Sequence, residues 1–316
     1  MNLEEAMSMY SIPIPEDIHD YDKETYREFD NMYLKSFYST FYSDNDSTTR
    51  IRNVETGNNV AVVLGGQIGA GKSSLVADTK RKFMQEGRRI VLVDDDQYRK
   101  FYPRGKEILE TCPEFYTKIT ATATGKITPL ILKYASDNGY NFIFDGTMKN
   151  NRIIETMKTW QGYDIQVRIM AAARLRSLIS TAIRNGELRH KQEGRFVTCE
   201  IHDETYYGIP ESLKFLEQTG LTKDIRIFTR GANPLFPIER FSSLATPEIS
   251  SADALEMLRK EDEEKFLTNA PEDIKYLRSV LPELSEDEQQ ESERIIHIIE
   301  SHINNRGTQD DAETER

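Results

Sequence analysis

Val60-Ala-Val-Val-Leu-Gly-Gly-Gln-Ile-Gly-Ala-Gly-Lys-Ser-Ser74 decides the fold. Residues 60 to 64 are apolar throughout, as in a strand buried on both faces, and they run straight into Gly66-x-x-x-x-Gly71-Lys72-Ser73. Residues 72 to 86 contain no Gly or Pro that would stop a helix. Strand, glycine loop and helix in this order make a phosphate-binding P-loop. Backbone N–H groups from about Ile68 to Ser73 face one concavity, Lys72 reaches the β- and γ-phosphates, and the Ser73 hydroxyl ligates Mg²⁺. Glycine is needed where the main chain approaches the anion with φ > 0. The expected nucleotide set is therefore Gly66, Gln67, Ile68, Gly69, Ala70, Gly71, Lys72, Ser73 and Ser74, with ATP and Mg²⁺ as the ligands.

Outward from the loop, further strands are expected at Arg89–Asp94, Tyr140–Asp145, Ile165–Ala171 and Ile225–Phe228. Helical stretches near 72–86, 116–137, 150–160, 173–188 and 210–219 separate them. Alternation of this kind predicts an α/β fold, a P-loop kinase-like doubly wound parallel sheet with helices on both faces. Ligands of such sheets sit beyond the carboxyl ends of the strands.

Two segments flank this core. Residues 1 to 20 read as an irregular leader, and Tyr26, Phe29, Tyr33, Phe37 and Phe41 recur at helical spacing as an aromatic face. That face either packs on its own core or covers the nucleotide cleft or a partner. From about residue 250 the text becomes charged helix with little core, and Gly307 to Arg316 is expected to be disordered. The organisation is then an N-terminal segment over 1–56, a kinase core over 57–250 and an acidic helical tail over 251–316.

The net charge is −12, and residues 251 to 316 hold 19 acidic against 8 basic side chains, so the acidity belongs to the tail. No basic, aromatic-interleaved patch argues for nucleic acid. Met1 to Tyr10 lacks the apolar stretch of a secretory signal and no run is long enough to span a membrane, which points to a cytoplasmic protein without membrane or nucleic-acid partners. Cys112 and Cys199 alone are too few for a disulfide framework or a cysteine zinc site.

Candidate chemistry gathers at the strand ends. Strand two, read to its end, delivers Asp94, Asp95 and Asp96, with Asp94 and Asp96 on one side by period-two geometry. A carboxylate near the γ-phosphate orients an acceptor hydroxyl and takes its proton, the role expected of Asp96; the alternative is a helix cap or a magnesium-shell acid. Strand three ends in Asp145-Gly-Thr-Met-Lys149. Asp145 has the look of a Walker B acid that holds Mg²⁺ with Ser73; alternatively Asp145 and Thr147 grip the acceptor. Arg174, Arg176, Arg184, Arg189 and Arg195 supply cations of which some face a transferring phosphoryl group.

With these segments in place the chain resembles the zeta toxin family, P-loop kinases of bacterial toxin–antitoxin modules. The resemblance rests on Leu64–Ser73, Val93–Tyr98, Gly139–Thr147, Met170-Ala171, Thr219–Arg226 and Ser242–Ser250, and covers about residues 58 to 260. It implies ATP-dependent phosphorylation of the 3′-hydroxyl of the N-acetylglucosamine part of UDP-N-acetylglucosamine, a nucleotide sugar, with growth inhibition as output. It implies Asp96 as catalytic base, Lys72, Arg184 and Arg195 as phosphate contacts, and Thr147, with Asp145 and Lys149 nearby, as acceptor contacts. It also implies a separate small antitoxin, to which the aromatic N-terminal helix adds the alternative of restraint in cis. Three departures fall on the acceptor side: Asp145 stands for the family's Glu, Lys149 for its Arg, and the acid expected after Thr124 is missing near Pro129. The same transfer to another nucleotide sugar or to a dinucleotide such as NAD is the alternative, and a nucleotide-switched ATP-binding protein is the alternative of a different class.

Overall fold

The computed structural model describes residues 1–42, 59–189, 196–233, 235–246 and 248–314. In chain order they form α1 (Leu3–Tyr10), α2 (Arg27–Phe41), β1 (Asn59–Gly65), α3 (Lys72–Gln85), β2 (Val91–Val93), α4 (Asp95–Tyr98), α5 (Gly105–Thr111), α6 (Tyr116–Asp137), β3 (Phe142–Asp145), α7 (Arg152–Met157), β4 (Tyr163–Met170), α8 (Arg174–Arg189), α9 (Cys199–Thr219), β5 (Asp224–Thr229), β6 (Ile238–Ser242), α10 (Ser251–Val280) and α11 (Glu286–Thr314).

The six strands lie in the order β2-β3-β1-β4-β5-β6. β1 to β5 are parallel, and β6, which the sequence reading lacked, closes the edge antiparallel to β5. The chain fills the β3 side of β1 first and the β4 side afterwards, so the direction switches at β1 and the P-loop opens at the switch point. Side chains of β1 alternate between two cores, which is why the strand is apolar at every position. Ala61 and Val63 join Ile119 and Ile127 of α6 and Ile209 and Leu213 of α9, while Val60, Val62 and Leu64 join Leu75 and Phe83 of α3.

Strand two is shorter than expected. It stops at Val93 because the Asp94 carboxylate accepts the Asp96 N–H at 3.0 Å and caps α4. Helix α9 begins at Cys199 after a Thr198 cap, earlier than the expected 210, and carries Pro210 inside it.

The leader is more ordered than its composition suggested. Asn2 Oδ1 accepts the Glu5 N–H and Glu5 Oε2 accepts the Asn2 N–H, each at 2.9 Å, a capping box that starts α1. The aromatic face of α2 packs on the core: Phe37 and Phe41 meet Tyr134 of α6 at ring distances of 4.7 and 5.0 Å, and Phe41 also meets Tyr140. The Thr40 hydroxyl and the Tyr98 hydroxyl of α4 lie 2.8 Å apart, so α2 supports the segment that carries the acidic triplet.

Beyond residue 250 the chain buries more than expected. Ala252, Ala254, Leu255 and Leu258 of α10 belong to the main core. Farther along, Phe266, Ala270, Ile274 and Leu277 pack with Ile295, Ile296 and Ile299 of α11 against Leu175, Leu178 and Ile179 of α8. At intervals of three and four residues these apolar positions make a continuous seam inside an otherwise charged hairpin. α11 is helical through Thr314, across residues for which the sequence suggested disorder. No helix among the described residues is long and apolar enough to cross a membrane.

Candidate active site

Gly66, Gly69 and Gly71 take φ of 143°, 78° and 101°, and these turns form the loop. A Cβ on Gly69 would collide with the Ser177 carbonyl and the Thr181 hydroxyl of α8, so this position is glycine for steric as well as conformational reasons. The Gly66 N–H donates to the Thr147 carbonyl at 3.2 Å and the Ala70 N–H to the Gln67 carbonyl at 3.1 Å. The N–H groups of Ile68, Gly69, Gly71, Lys72 and Ser73 have no acceptor among the described residues. They stand at the N-terminus of α3, where a helix end favours an anion. Lys72 Nζ donates to the Gly66 carbonyl at 2.9 Å and so folds across this amide cradle. Ser74 turns its hydroxyl back onto the Gly71 carbonyl at 2.8 Å, whereas the Ser73 hydroxyl has no partner among the described residues.

Asp145 ends β3 in register with Leu64 of β1. Its Oδ1 is buried and has no hydrogen-bond partner among the described residues. Burial pushes its carboxyl above the ordinary range; the Lys72 charge pulls it down, Asp96 and Asp95 push it up, and Arg184 pulls it down. Lys72, Asp96, Arg184 and Asp145 thus share one electrostatic neighbourhood above the sheet. A desolvated carboxylate oxygen and a hydroxyl at the loop's end, neither with a partner among the described residues, are donors that would suit a magnesium ion. Among the described residues no cluster of three or more His, Cys, Asp or Glu could hold a metal.

Asp96 sits in a helical turn and not on a strand, so period-two alternation does not govern where it points. Its Oδ1 accepts Arg99 Nε at 3.0 Å. Arg99 is buried, donates from Nη1 to the Thr117 carbonyl and the Thr120 hydroxyl of α6 at 2.8 and 2.6 Å, and lies 3.7 Å from Asp95.

Just past β3, Met148 is held in the left-handed region at φ 55° between Thr147 and Lys149, a conformation that costs an unbranched residue about 1 kcal/mol. Lys149 Nζ pairs with Glu204 of α9 at 3.0 Å. Gly208 permits that approach, since a Cβ there would strike the Lys149 carbonyl.

The arginines separate by geometry. Arg174 makes two bonds of 2.7 Å to Asp203, and Arg176 pairs with Asp262 at 3.0 Å, so both tie α8 to neighbouring helices. Arg184 is exposed and close enough to Asp145 to influence it. Arg195 lies outside the described residues, as does the side chain of Arg189.

Sequence reading missed Arg230, Arg99 and the groups behind Gln67. Arg230 follows β5 and donates from Nε to the Ala70 carbonyl at 3.1 Å and from Nη2 to the Gly69 carbonyl, with Ser180 Oγ at 3.3 Å. The rule that strand ends converge on the site, applied to β5, finds it. Arg99 had a local signal too, three residues after Asp96 at helical spacing.

A family model described as zeta toxin matches residues 45–240. The chain is 28% identical over 202 residues to toxin zeta of Enterococcus hirae, spanning 62% of this chain and 68% of that protein. It is 25% identical over 205 residues to toxin PezT of Streptococcus pneumoniae, spanning 63% and 77%. Among solved structures, one of the PezAT chromosomal toxin–antitoxin system of Streptococcus pneumoniae superposes with a TM-score of 0.63 at 22% identity, over 84% of this chain and 99% of that one. A chain of the AvrRxo1-ORF1:AvrRxo1-ORF2 complex with ATP superposes with a TM-score of 0.58 at 9% identity, over 94% and 98%. At these identities the two structures speak for the fold.

Proposed function

Since this chain belongs to the zeta toxin family, we propose that it is a Mg²⁺- and ATP-dependent kinase that phosphorylates the 3′-hydroxyl of the N-acetylglucosamine part of UDP-N-acetylglucosamine and so inhibits growth. One observation carries the chemistry: the amides of Ile68, Gly69, Gly71, Lys72 and Ser73 stand without an acceptor among the described residues, Lys72 folds across them, and Asp145 ends the neighbouring strand β3.

In the proposed step the acceptor oxygen forms a bond to the γ-phosphorus while the bond from that phosphorus to the β,γ-bridging oxygen breaks, and ADP leaves. Asp96 orients the acceptor hydroxyl and takes its proton. The loop amides hold the β- and γ-phosphates, and Lys72, Arg184 and Arg195 spread the charge of the transferring group. Magnesium, held by Ser73 and Asp145, supplies further charge neutralisation when bound. Thr147 and Lys149 face the acceptor in this reading.

Purified protein given γ-labelled ATP and a panel of metabolites tests the proposal. Label on UDP-N-acetylglucosamine supports it, and label on NAD alone overturns the acceptor while keeping the kinase. An ATP switch predicts instead that Asp96→Asn hydrolyses ATP as the parent does. A separate antitoxin is the proposed partner, in keeping with the PezAT toxin–antitoxin system of one structural neighbour.

A further inference from the structure

Behind the phosphate loop lies a polar cluster that the chemistry above leaves unused. The Gln67 side chain is wholly buried. Its amide NH₂ donates to the Ala172 carbonyl at 2.7 Å and to Ser177 Oγ at 3.0 Å, and its Oε1 accepts Arg259 Nη2 at 3.3 Å. Ser177 Oγ lies 2.8 Å from His202 Nε2, and His202 Nδ1 lies 3.2 Å from the Asp203 carboxylate that Arg174 grips. Burial pushes His202 down to about 4, so at neutral pH the ring carries one proton. The network assigns that proton to Nδ1, facing Asp203, which leaves Nε2 to accept the Ser177 hydroxyl. Serine, histidine and aspartate in this order have the layout of a nucleophilic triad, but Ser177 and His202 are closed to solvent and no substrate reaches them. The row is a strut that ties the loop to α8 and α9.

Arg259 reaches the same glutamine from α10, beyond residue 240 where the family match ends. Its side chain is 2% exposed. The guanidinium lies 3.7 Å from the Tyr206 ring centroid, Nη1 donates to Glu256 at 2.8 Å, and Nε has no partner among the described residues. Burying a cation with one half-exposed carboxylate and an unpaired N–H costs stability that an apolar side chain of the same size would not. Such a residue is a poor choice for packing alone, and its remaining bond goes to the phosphate loop.

We propose that Arg259 is a positioning residue for the phosphate loop and acts through Gln67. The loop turns at three glycines, which by themselves leave its main chain free to twist. Gln67 stands between Gly66 and Ile68, and its own carbonyl accepts the Ala70 N–H. Holding the Gln67 amide from both sides fixes the direction in which the loop amides point, so the anion site is formed before the anion arrives. The consequence for ATP rests on the kinase reading; the ordering of the loop does not.

The test compares Gln67→Met, Arg259→Met and the double variant in the full chain, reading hydrogen exchange of the Gly66 and Ala70 amides without nucleotide and the affinity for ATP. Each single variant is expected to speed loop exchange and weaken ATP by about tenfold, the size of one lost charged hydrogen bond. The double variant is expected to be no worse than the worse single one, because both act through one contact. Arg259→Lys, which keeps a donor for Oε1, is expected to hold the loop nearer the parent than Arg259→Met does. Effects that multiply, or a melting temperature that falls while loop exchange stays at the parent rate, overturn the proposal. If Arg259→Met does not fold, Arg259→Lys and Gln67→Met still decide it: a loop as tight in Gln67→Met as in the parent refutes it. Parent protein that binds no ATP yet shows the exchange pattern overturns the kinase reading and leaves this inference standing.

Discussion

Asp145→Asn is expected to make the nucleotide-free protein more stable while disabling it. The wild-type carboxyl is desolvated at the end of β3, its Oδ1 is unpaired, and Asp96 and Asp95 add repulsion that Lys72 and Arg184 offset in part. An unpaired buried polar atom costs about 1–3 kcal/mol when neutral and more when charged, and since the amide keeps the neutral cost, the substitution removes only the charged excess. A carboxyl whose pKa is raised by folding is tolerated when protonated; stability is lost as pH climbs through the raised value, because the unfolded chain then gives up its proton more easily. Once ionised, the wild type carries the charged penalty, and the neutral amide of the same shape never does. Urea denaturation should therefore show Asp145→Asn gaining on the wild type as pH rises, by about 1 kcal/mol or more once the carboxyl is ionised, with an unchanged slope, and the gap should close as pH falls. Saturating Mg²⁺ and ATP should reverse the order, since only the wild type gains the full binding energy of the metal nucleotide. A variant less stable than wild type near pH 7, or a gap that widens as pH falls, would refute the view that this acid is strained in readiness for a cation.

Other outcomes follow from the same geometry. Asp96→Asn should lower phosphoryl transfer by about 10²–10⁴-fold with ATP affinity kept, measured with γ-labelled ATP; transfer at the parent rate would remove Asp96 from the reaction. Gly69→Ala must find room against Ser177 and Thr181 at a positive φ, so it should destabilise the fold by about 1 kcal/mol or more and abolish ATP binding; a normal titration would show that the loop relaxes freely. His202 is lowered from 6.5 to about 4 because burial disfavours its charged form, so its contribution is complete above 6.5 and is lost as pH falls towards 4. That loss is of order 3 kcal/mol and should vanish in His202→Gln, as denaturation midpoints near pH 7 and pH 4 would reveal. Deleting residues 1–42 uncovers the partners of Phe29, Met32 and Phe41 and should yield insoluble or destabilised protein; a soluble, more toxic product would instead establish restraint in cis.

The strand, loop and first helix were legible because their signals are local: an apolar run, glycines at fixed spacing, and a helix without breakers. Asp145 was readable as well, as the acid that ends an apolar strand. Asp96 was expected at the end of a strand and lies instead in a helical turn, because a one-residue cap at Asp94 ended the strand and replaced alternation with helical geometry. The tail shows the opposite failure. Its charge dominated the composition, while the sparse residues that make its seam gain meaning only once α8 lies opposite them.

Sequence by itself determined the class of fold, the phosphate loop and the residue types available to it, since each depends on neighbours within a few positions along the chain. Which of those residues meet was decided only by the folded molecule. Arg174 and Arg176 are drawn to Asp203 and Asp262, Arg184 is left open near Asp145, and Arg259 crosses from the far end of the chain to hold Gln67. Burial and distance set the worth of a charge, and neither exists until the chain has closed on itself.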